Sequence, residues 1–196
     1  MAELFKWPPQ FHEEWTNTDE WKTVVSRFEN HVTQRRSKWS RRYGKWKFTF
    51  SKEVATNSAD AILDFFNARK GRSQSFYLPS WKGEFRLLNS YGAGGGTLTL
   101  ENTSTIAANL TSTAGQRGNL VHISSDEYEG STGDVFQITN INSNILTVTR
   151  LAGSNSSYSV GVLVNMAFEV YFTLDELTED NILTVLYKYG LEMEEK

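Results

Sequence analysis

The stretch WSRRYGKWKFTFSKEVATNSADAILDFFNARKGRSQSFYLPSW, residues 39–81, decides the fold of this chain. Near its start, Trp46, Phe48 and Phe50 occupy every second position, with Lys and Thr between them. Successive side chains of a strand point to opposite faces, so this alternation predicts a strand with one aromatic face.

The middle of the stretch predicts one core helix over about residues 58–70. Its apolar residues recur at helical spacing and form one stripe, made of Ala61, Ile62, Phe65 and Phe66. Polar residues 56–58 are N-cap candidates, Arg69 and Lys70 suit the last turn, and Gly71 suits a left-handed position after it. The aromatic run SFYLP at residues 75–79 follows, which completes a strand–helix–strand unit.

A second alternating stretch near the C-terminus completes the sheet. Phe168, Val170 and Phe172 share one face of residues 167–172, which predicts a return strand in the sheet that the Trp46 strand begins. Residues 175–196 are ambiguous, because Thr178 could cap a short helix whereas residues 185–193 alternate as a strand does. We favour a strand or an extended tail there.

Composition sets the class of protein. The chain has 196 residues, 39% of them hydrophobic, and six Trp, which predicts an ordered core. It has no cysteine, so disulfides and thiolate metal sites are excluded. The first residues contain no apolar leader segment, and no apolar run reaches the length of a transmembrane helix. We therefore expect neither a signal peptide nor a membrane span.

The first 20 residues predict an extended, polyproline-like arm. Pro8 and Pro9 exclude a helix, and Trp7 and Trp15 lie on either side of them. Exposed tryptophans on such an arm would be unfavourable, so the arm must pack on its own domain or on a neighbouring subunit.

A β-hairpin with a basic continuation follows. Residues 22–28 and 32–36 are β-prone runs on either side of a turn candidate. Basic and aromatic residues are then interleaved over residues 35–52, and the interface candidates among them are Arg35, Arg36, Trp39, Arg41, Arg42 and Tyr43. This composition suits a subunit interface, and it also suits nucleic-acid phosphates and bases. A solvated hairpin face is the third interpretation.

Charge is divided between the two halves of the chain. Residues 1–90 carry a net charge of +6 and residues 91–196 a net charge of −9. Copies of such a chain can associate head to tail, with each half meeting its complement, although two solvated surfaces would show the same division.

Composition changes at residue 92. The glycine segment YGAGGG, residues 91–96, lacks the lysine of a phosphate-binding loop and is typical of a hinge between domains. Residues 97–165 are rich in Thr, Ser, Asn and Gly, with β-prone runs at 97–100, 120–123, 135–139 and 145–149 and a turn at 142–144. We therefore expect residues 1–91 and 166–196 to form one domain and residues 92–165 to form an inserted β-sandwich or barrel.

No pattern for catalysis is present in the sequence. The histidines His12, His31 and His122 are scattered and lack zinc-site spacing, and there is no Gly-x-Ser-x-Gly elbow. The acidic residues Asp126, Glu127, Glu129 and Asp134 lack the regular spacing of a calcium loop, so we interpret them as solvated acids. We expect a non-enzyme with no cofactor and no metal.

The pattern as a whole resembles the distal tail and minor tail proteins of tailed bacteriophages, which form the hub at the tail tip. The resemblance lies in the hairpin with its Arg pair and following Trp, the strand KWKFTFS, the helix segment ILDFFNARKGRSQSF and the segment YLPSW. It covers about residues 20–90 and 167–180 and is most specific at residues 61–76.

This resemblance implies a mainly β (β-rich α+β) hub domain with a sheet, one core helix and a hairpin arm, into which residues 92–165 are inserted. It implies a virion protein, made in the host cytoplasm, that forms a ring of six copies. The tail tube protein would lie above the ring, and tail hub or fibre proteins below it. Trp7 and Trp15 are then further interface candidates, because the N-terminal arm would reach an adjacent protein.

Two other functions remain open. The inserted β-domain could make the chain a carbohydrate- or host-surface-binding tail component. The basic cluster could bind nucleic acid, but a pI near 5.7 and a net charge of −3 disfavour that function. We therefore expect neither nucleic acid nor a membrane as a partner.

Overall fold

The computed structural model shows a mainly β protein, as the sequence predicts. It describes residues 3–6, 12–20, 23–27, 33–37, 43–50, 56–101, 103–124, 133–173, 179–183 and 186–196. Among these residues, eleven strands belong to one hydrogen-bonded sheet and two more form a separate hairpin.

In chain order the strands are β1 His12–Glu20, β2 Thr23–Arg27, β3 Thr33–Ser37, β4 Tyr43–Phe50, β5 Phe76–Pro79, β6 Phe85–Arg86, β7 Thr97–Thr99, β8 Leu120–Ser124, β9 Gly133–Asn142, β10 Ile145–Ala152, β11 Leu163–Phe172, β12 Glu179–Leu183 and β13 Leu186–Glu195. The helices are α1 Thr56–Ala68 and α2 Thr103–Asn109, and a 3-10 turn covers Gly71–Ser73. The predicted hairpin at residues 22–36 is confirmed as β2 and β3.

The first core is the predicted strand–helix–strand unit. Its members include Trp46 and Phe48 of β4, Ile62, Phe65 and Phe66 of α1, and Phe168, Val170 and Phe172 of β11. Ring centroids of Trp46 and Phe168 lie 4.9 Å apart, as do those of Phe66 and Phe172. Ala61 is exposed, so the buried stripe of α1 is narrower than predicted.

The return strand is confirmed as β11, which lies in the same sheet as β4. β13 lies between the two strands. The reason is that the C-terminal segment forms a full strand, which pairs with β4 from Tyr189 to Glu194 and with β11 at its end. The strand interpretation of the tail is confirmed by β12 and β13.

α1 ends at Ala68, two residues before the predicted boundary. Arg69 turns inward, where it pairs with Glu3 at 2.7 Å and lies 5.4 Å from the ring centroid of Phe65. The left-handed turn begins at Lys70, with φ of 53°, and continues through Gly71, with φ of 59°. The glycine therefore marks the second residue of the turn rather than its start.

The polyproline-like expectation is wrong for residues 12–20, which form β1 and pair with β4. Proline restricts only its own position and the residue before it, so a strand can begin shortly after Pro8 and Pro9. Before the prolines, Leu4 forms a parallel β-bridge with Tyr77. Phe5 is fully buried, and its ring centroid lies 5.8 Å from that of Phe48. The described part of the N-terminal segment thus packs on its own chain.

The second core is a closed barrel. β11, β8, β9, β10 and β7 pair in that order, and β6 pairs with the other edge of β11. Leu87 follows β6 and Leu100 follows β7. These two residues form an antiparallel bridge, which closes the barrel. The interior includes Leu98, Leu100, Val121, Ile123, Phe136, Ile138, Leu146, Val148 and Val164. α2, which the sequence analysis missed, adds Ile106 to this core.

β11 belongs to both cores. Val164 lies in the barrel core, and Phe168 lies in the first core. The barrel also includes Phe85 and Leu87, which precede residue 92, so it starts earlier than the predicted insertion. The division into two domains stays a prediction.

The glycine segment at residues 91–96 is a hydrogen-bonded turn rather than a free hinge. The Tyr91 hydroxyl donates to the Gly95 carbonyl at 2.5 Å, and the Gly94 amide donates to Asn155 Oδ1 at 2.8 Å. Gly94 has a φ of 76°, which glycine adopts without strain.

Candidate assembly surface

The hairpin β2–β3 forms a sheet of its own. Among the described residues, its two strands pair only with each other, from Thr23 opposite Ser37 to Arg27 opposite Thr33. An isolated two-stranded hairpin is at best marginally stable in water. We refer to residues 21–42, which contain this hairpin, as the arm.

The arm leaves the sheet at a defined point. β1 and β4 form a long antiparallel pair whose last register partners are Glu20 and Tyr43. Residues 21–42 thus extend the connection between two directly opposed strand ends. Glu20 and Tyr43, the described residues on either side of the arm, are therefore close together at one end of this strand pair.

The predicted interface residues are distributed over these elements. Arg35 and Arg36 lie in β3, opposite Val25 and Val24 in register. Tyr43 begins β4, and Trp15 lies in β1 opposite Phe48. Trp7, Trp39, Arg41 and Arg42 lie outside the described residues.

β1 is an edge strand, which the sequence analysis missed. It pairs with β4 and with no other strand in the part of the chain that the structure describes. Its register shifts between His12 and Glu14, so Glu13 forms a bulge and residues 14–20 form the regular stretch. Thr16 and Thr18 are β-prone residues on one face of the strand, but the nearby proline pair obscured this signal.

The outward face of β1, β4 and β13 carries charges of both signs. Lys45 pairs with Glu20 at 2.6 Å, and Lys47 pairs with Glu192 at 3.2 Å. The hydrogen bond with Glu20 raises the pKa of Lys45 above its usual value. These pairs are exposed, so each contributes little to stability. The face neutralises most of its own charge, which does not suit binding to nucleic-acid phosphates.

A cavity of about 340 Å³ lies where the barrel meets the first core. Leu120, Leu151, Ala167 and Tyr77 contribute to its lining, together with the charged residues Arg117, Glu169, Glu195 and Lys196. Glu169 accepts hydrogen bonds from Ser75 Oγ and Lys196 Nζ, each at 2.7 Å. Arg117 pairs with Asp19 and lies 5.1 Å from the Phe168 ring centroid. The charged groups of the cavity are thus largely paired within the chain.

The interpretation of Asp134 as a solvated acid is wrong. Asp134 is fully buried and accepts hydrogen bonds at 2.8 Å from the Asn155 amide, the Ser156 amide and the Tyr158 hydroxyl. These donors satisfy the buried carboxylate and tie β9 to the loop after β10. Asp126, Glu127 and Glu129 lie outside the described residues.

His122 lies near this carboxylate, deep in the barrel wall. Burial lowers its pKa to about 4, although the negative charge of Asp134 acts in the opposite direction. Its Nδ1 has no hydrogen-bond partner. His122 is only 3% exposed, so it is almost completely excluded from solvent.

Within the described ranges, no group of three or more His, Asp or Glu residues is placed to hold a metal ion. No helix in that part of the chain is both long enough and apolar enough to cross a membrane. Comparison with protein families and with curated proteins found no match to this chain.

Proposed function

We propose that this chain is a structural subunit of a bacteriophage tail tip, which forms a ring of six copies between the tail tube and the hub or fibre proteins. The hairpin arm β2–β3 carries this proposal, because among the described residues it makes no strand pairing with its own sheet. The resemblance of residues 20–90 and 167–180 to distal tail proteins supports the same function.

Ring formation follows from the placement of the arm. An arm that packs on a different patch of a neighbouring copy makes a head-to-tail contact, and such contacts close into rings when the rotation allows it. The opposite net charges of the two halves favour this arrangement over a face-to-face dimer. In this proposal the first core is the hub domain, and the barrel is the inserted domain.

The same proposal makes the chain a virion component without enzymatic activity or cofactor. Its partners are further copies of itself, the tail tube protein and tail hub or fibre proteins. Asp134 is buried and accepts hydrogen bonds within the chain, and His122 is buried as well. Both observations support a structural role for these polar groups.

Removal of the arm tests the proposal. Residues 21–42 are replaced by Asn-Gly, because Glu20 and Tyr43 lie directly opposite each other and a two-residue turn can join them. We expect the wild-type protein to form rings in negative-stain images and by light scattering. The variant should keep a cooperative thermal transition and have the mass of a single chain.

A matched control changes a hairpin that is not part of the arm. Ser143 in the β9–β10 turn has a φ of 58°, so Ser143→Gly relieves the backbone without altering the arm. This variant should form rings as the wild type does. A monomeric wild type at high protein concentration, or rings from the arm-deleted variant, would contradict the proposal.

Saccharide binding at the junction cavity is the second candidate function. The cavity combines the apolar side chains Leu120 and Leu151 with the polar side chains Gln116 and Gln137. Small-molecule sites commonly combine these features at the junction of two structural units. Titration calorimetry with saccharides from bacterial cell surfaces should give binding that Gln116→Ala weakens. Absence of heat for every saccharide would exclude this function.

A further inference from the structure

The edge strand β1 offers a template for strand addition. Over residues 14–20, the side of β1 away from β4 carries no strand pairing among the described residues. A long edge of this kind presents backbone N–H and C=O groups to any strand that can align with it. Proteins guard such edges with charge, and β1 is strongly acidic, with Glu13, Glu14, Asp19 and Glu20.

The acidic residues of β1 fall into two groups. At its C-terminal end, Asp19 and Glu20 pair with Arg117 and Lys45 of the same chain. Glu13 and Glu14 place two further negative charges at the N-terminal end of the strand. A partner strand that carries two adjacent positive charges would complement this end.

β3 has this chemistry. Its sequence is TQRRS, five residues with adjacent positive charges at Arg35 and Arg36. One edge of β3 pairs with β2, and the other has no strand pairing among the described residues. Both strands therefore have an open edge, and their charges are opposite.

The occupant of the β1 edge is a second copy of this chain. Within one chain, β3 is held by β2 in a hairpin that pairs with neither β1 nor β4. Each copy carries one acidic edge and one basic arm, so every arm can reach the edge of the next copy and no copy is left unpaired. This is the head-to-tail arrangement that a ring requires.

The geometry points to β-strand addition between subunits: we infer that β3 of one copy aligns with the edge of β1 in the next copy and extends its sheet. Main-chain hydrogen bonds supply the attraction, and the Arg pair opposite the Glu pair selects the register. This inference rests on the proposed ring and names the contact that builds it.

A charge exchange tests the contact. Variant A carries Glu13→Lys and Glu14→Lys, and variant B carries Arg35→Glu and Arg36→Glu. Each variant alone places like charges opposite each other, so its association constant should fall by about tenfold or more. Mixed in equal amounts, A and B should form rings again, because each arm then meets an edge of opposite charge.

Disulfide trapping gives an independent measurement, and the absence of cysteine from the chain makes it specific. A Thr16→Cys protein is mixed with a Thr33→Cys protein under mild oxidation, and the mixture should yield a cross-linked dimer of the two. Thr33 lies opposite Thr16 when β3 runs antiparallel to β1 with Arg35 opposite Glu14. A Val160→Cys protein is the control, because Val160 is 62% exposed and lies on the barrel. Mixed with Thr33→Cys, it should give no such dimer.

The outcomes separate the contact from the ring. A wild-type chain that forms no rings overturns the ring proposal and this contact with it. Wild-type rings, with A and B each assembling normally alone, would overturn the contact while the ring stands. Failure of the A and B mixture to assemble would also overturn the contact while the ring stands. Cross-linking of Val160→Cys as efficiently as Thr16→Cys would also overturn it.

Discussion

Replacement of His122 by Leu should change how the stability of the protein depends on pH. His122 is 3% exposed, its Nδ1 has no hydrogen-bond partner, and burial lowers its pKa from 6.5 to about 4. The imidazole is therefore neutral in the folded protein at pH values where it is protonated in the unfolded chain. Protonation of the unfolded chain favours unfolding as the pH falls.

The size of the effect follows from the two pKa values. The contribution of neutral His122 is complete above pH 6.5 and is lost as the pH falls from 6.5 to about 4. Between pH 7.5 and pH 4.5 this loss is about 2.5 kcal/mol. The Leu side chain does not titrate, so the His122→Leu variant lacks this loss of stability. Both proteins still lose stability at low pH through protonation of their carboxylates.

Urea unfolding followed by tryptophan fluorescence measures both proteins at each pH. The quantity of interest is the free energy of unfolding of the wild type minus that of the variant. This difference should fall by about 2.5 kcal/mol from pH 7.5 to pH 4.5. Any constant effect of Leu on packing cancels, because it is the same at both pH values. A difference that stays constant within about 0.5 kcal/mol would show that His122 titrates normally.

Three further predictions concern the two cores. Phe172→Ala should cost about 3–5 kcal/mol in the free energy of unfolding, measured in urea, because the ring is fully buried in the first core. Gly153→Ala should destabilise the protein by more than about 1 kcal/mol, since its φ is 113° and a Cβ there would lie 2.2 Å from Asp134 Oδ1. Gly96→Ala is the control for that change, because a Cβ at Gly96 meets nothing within 4 Å. A fragment of residues 84–168 should show a cooperative thermal transition, since the barrel closes on itself, and a featureless melt would show that it depends on the first core.

Local periodicity explains what the sequence could predict. The alternation at Trp46 and Phe48 and the helical spacing of Ile62, Phe65 and Phe66 each depend on residues a few positions apart. These patterns predicted the elements and their buried faces, which the structure confirms. The short strands of residues 97–149 were predicted for the same reason, because turn residues flank each one.

Long-range partners explain what the sequence could not predict. The burial of Asp134 depends on donors at residues 155–158, about twenty positions away, and no periodic signal links them. The place of β13 between β4 and β11 depends on a choice among several strands that all have a suitable face. α2 has the sequence TSTIAAN, whose Thr, Ser and Asn residues are weak helix formers, so its local signal is weak and the burial of Ile106 helps to hold it.

The link between the barrel and the edge strand has a consequence for assembly. Arg117, from the loop between α2 and β8, pairs with Asp19 of β1 and lies over Phe168 of β11. β11 itself runs from the barrel core into the first core. Its first half pairs with β8, and its last residues pair with β13. The barrel is thus attached through a continuous strand and through a side chain that contacts the proposed assembly strand. A barrel attached only by the glycine segment would move freely relative to the first core, whereas these contacts would give every copy in the proposed ring the same barrel orientation.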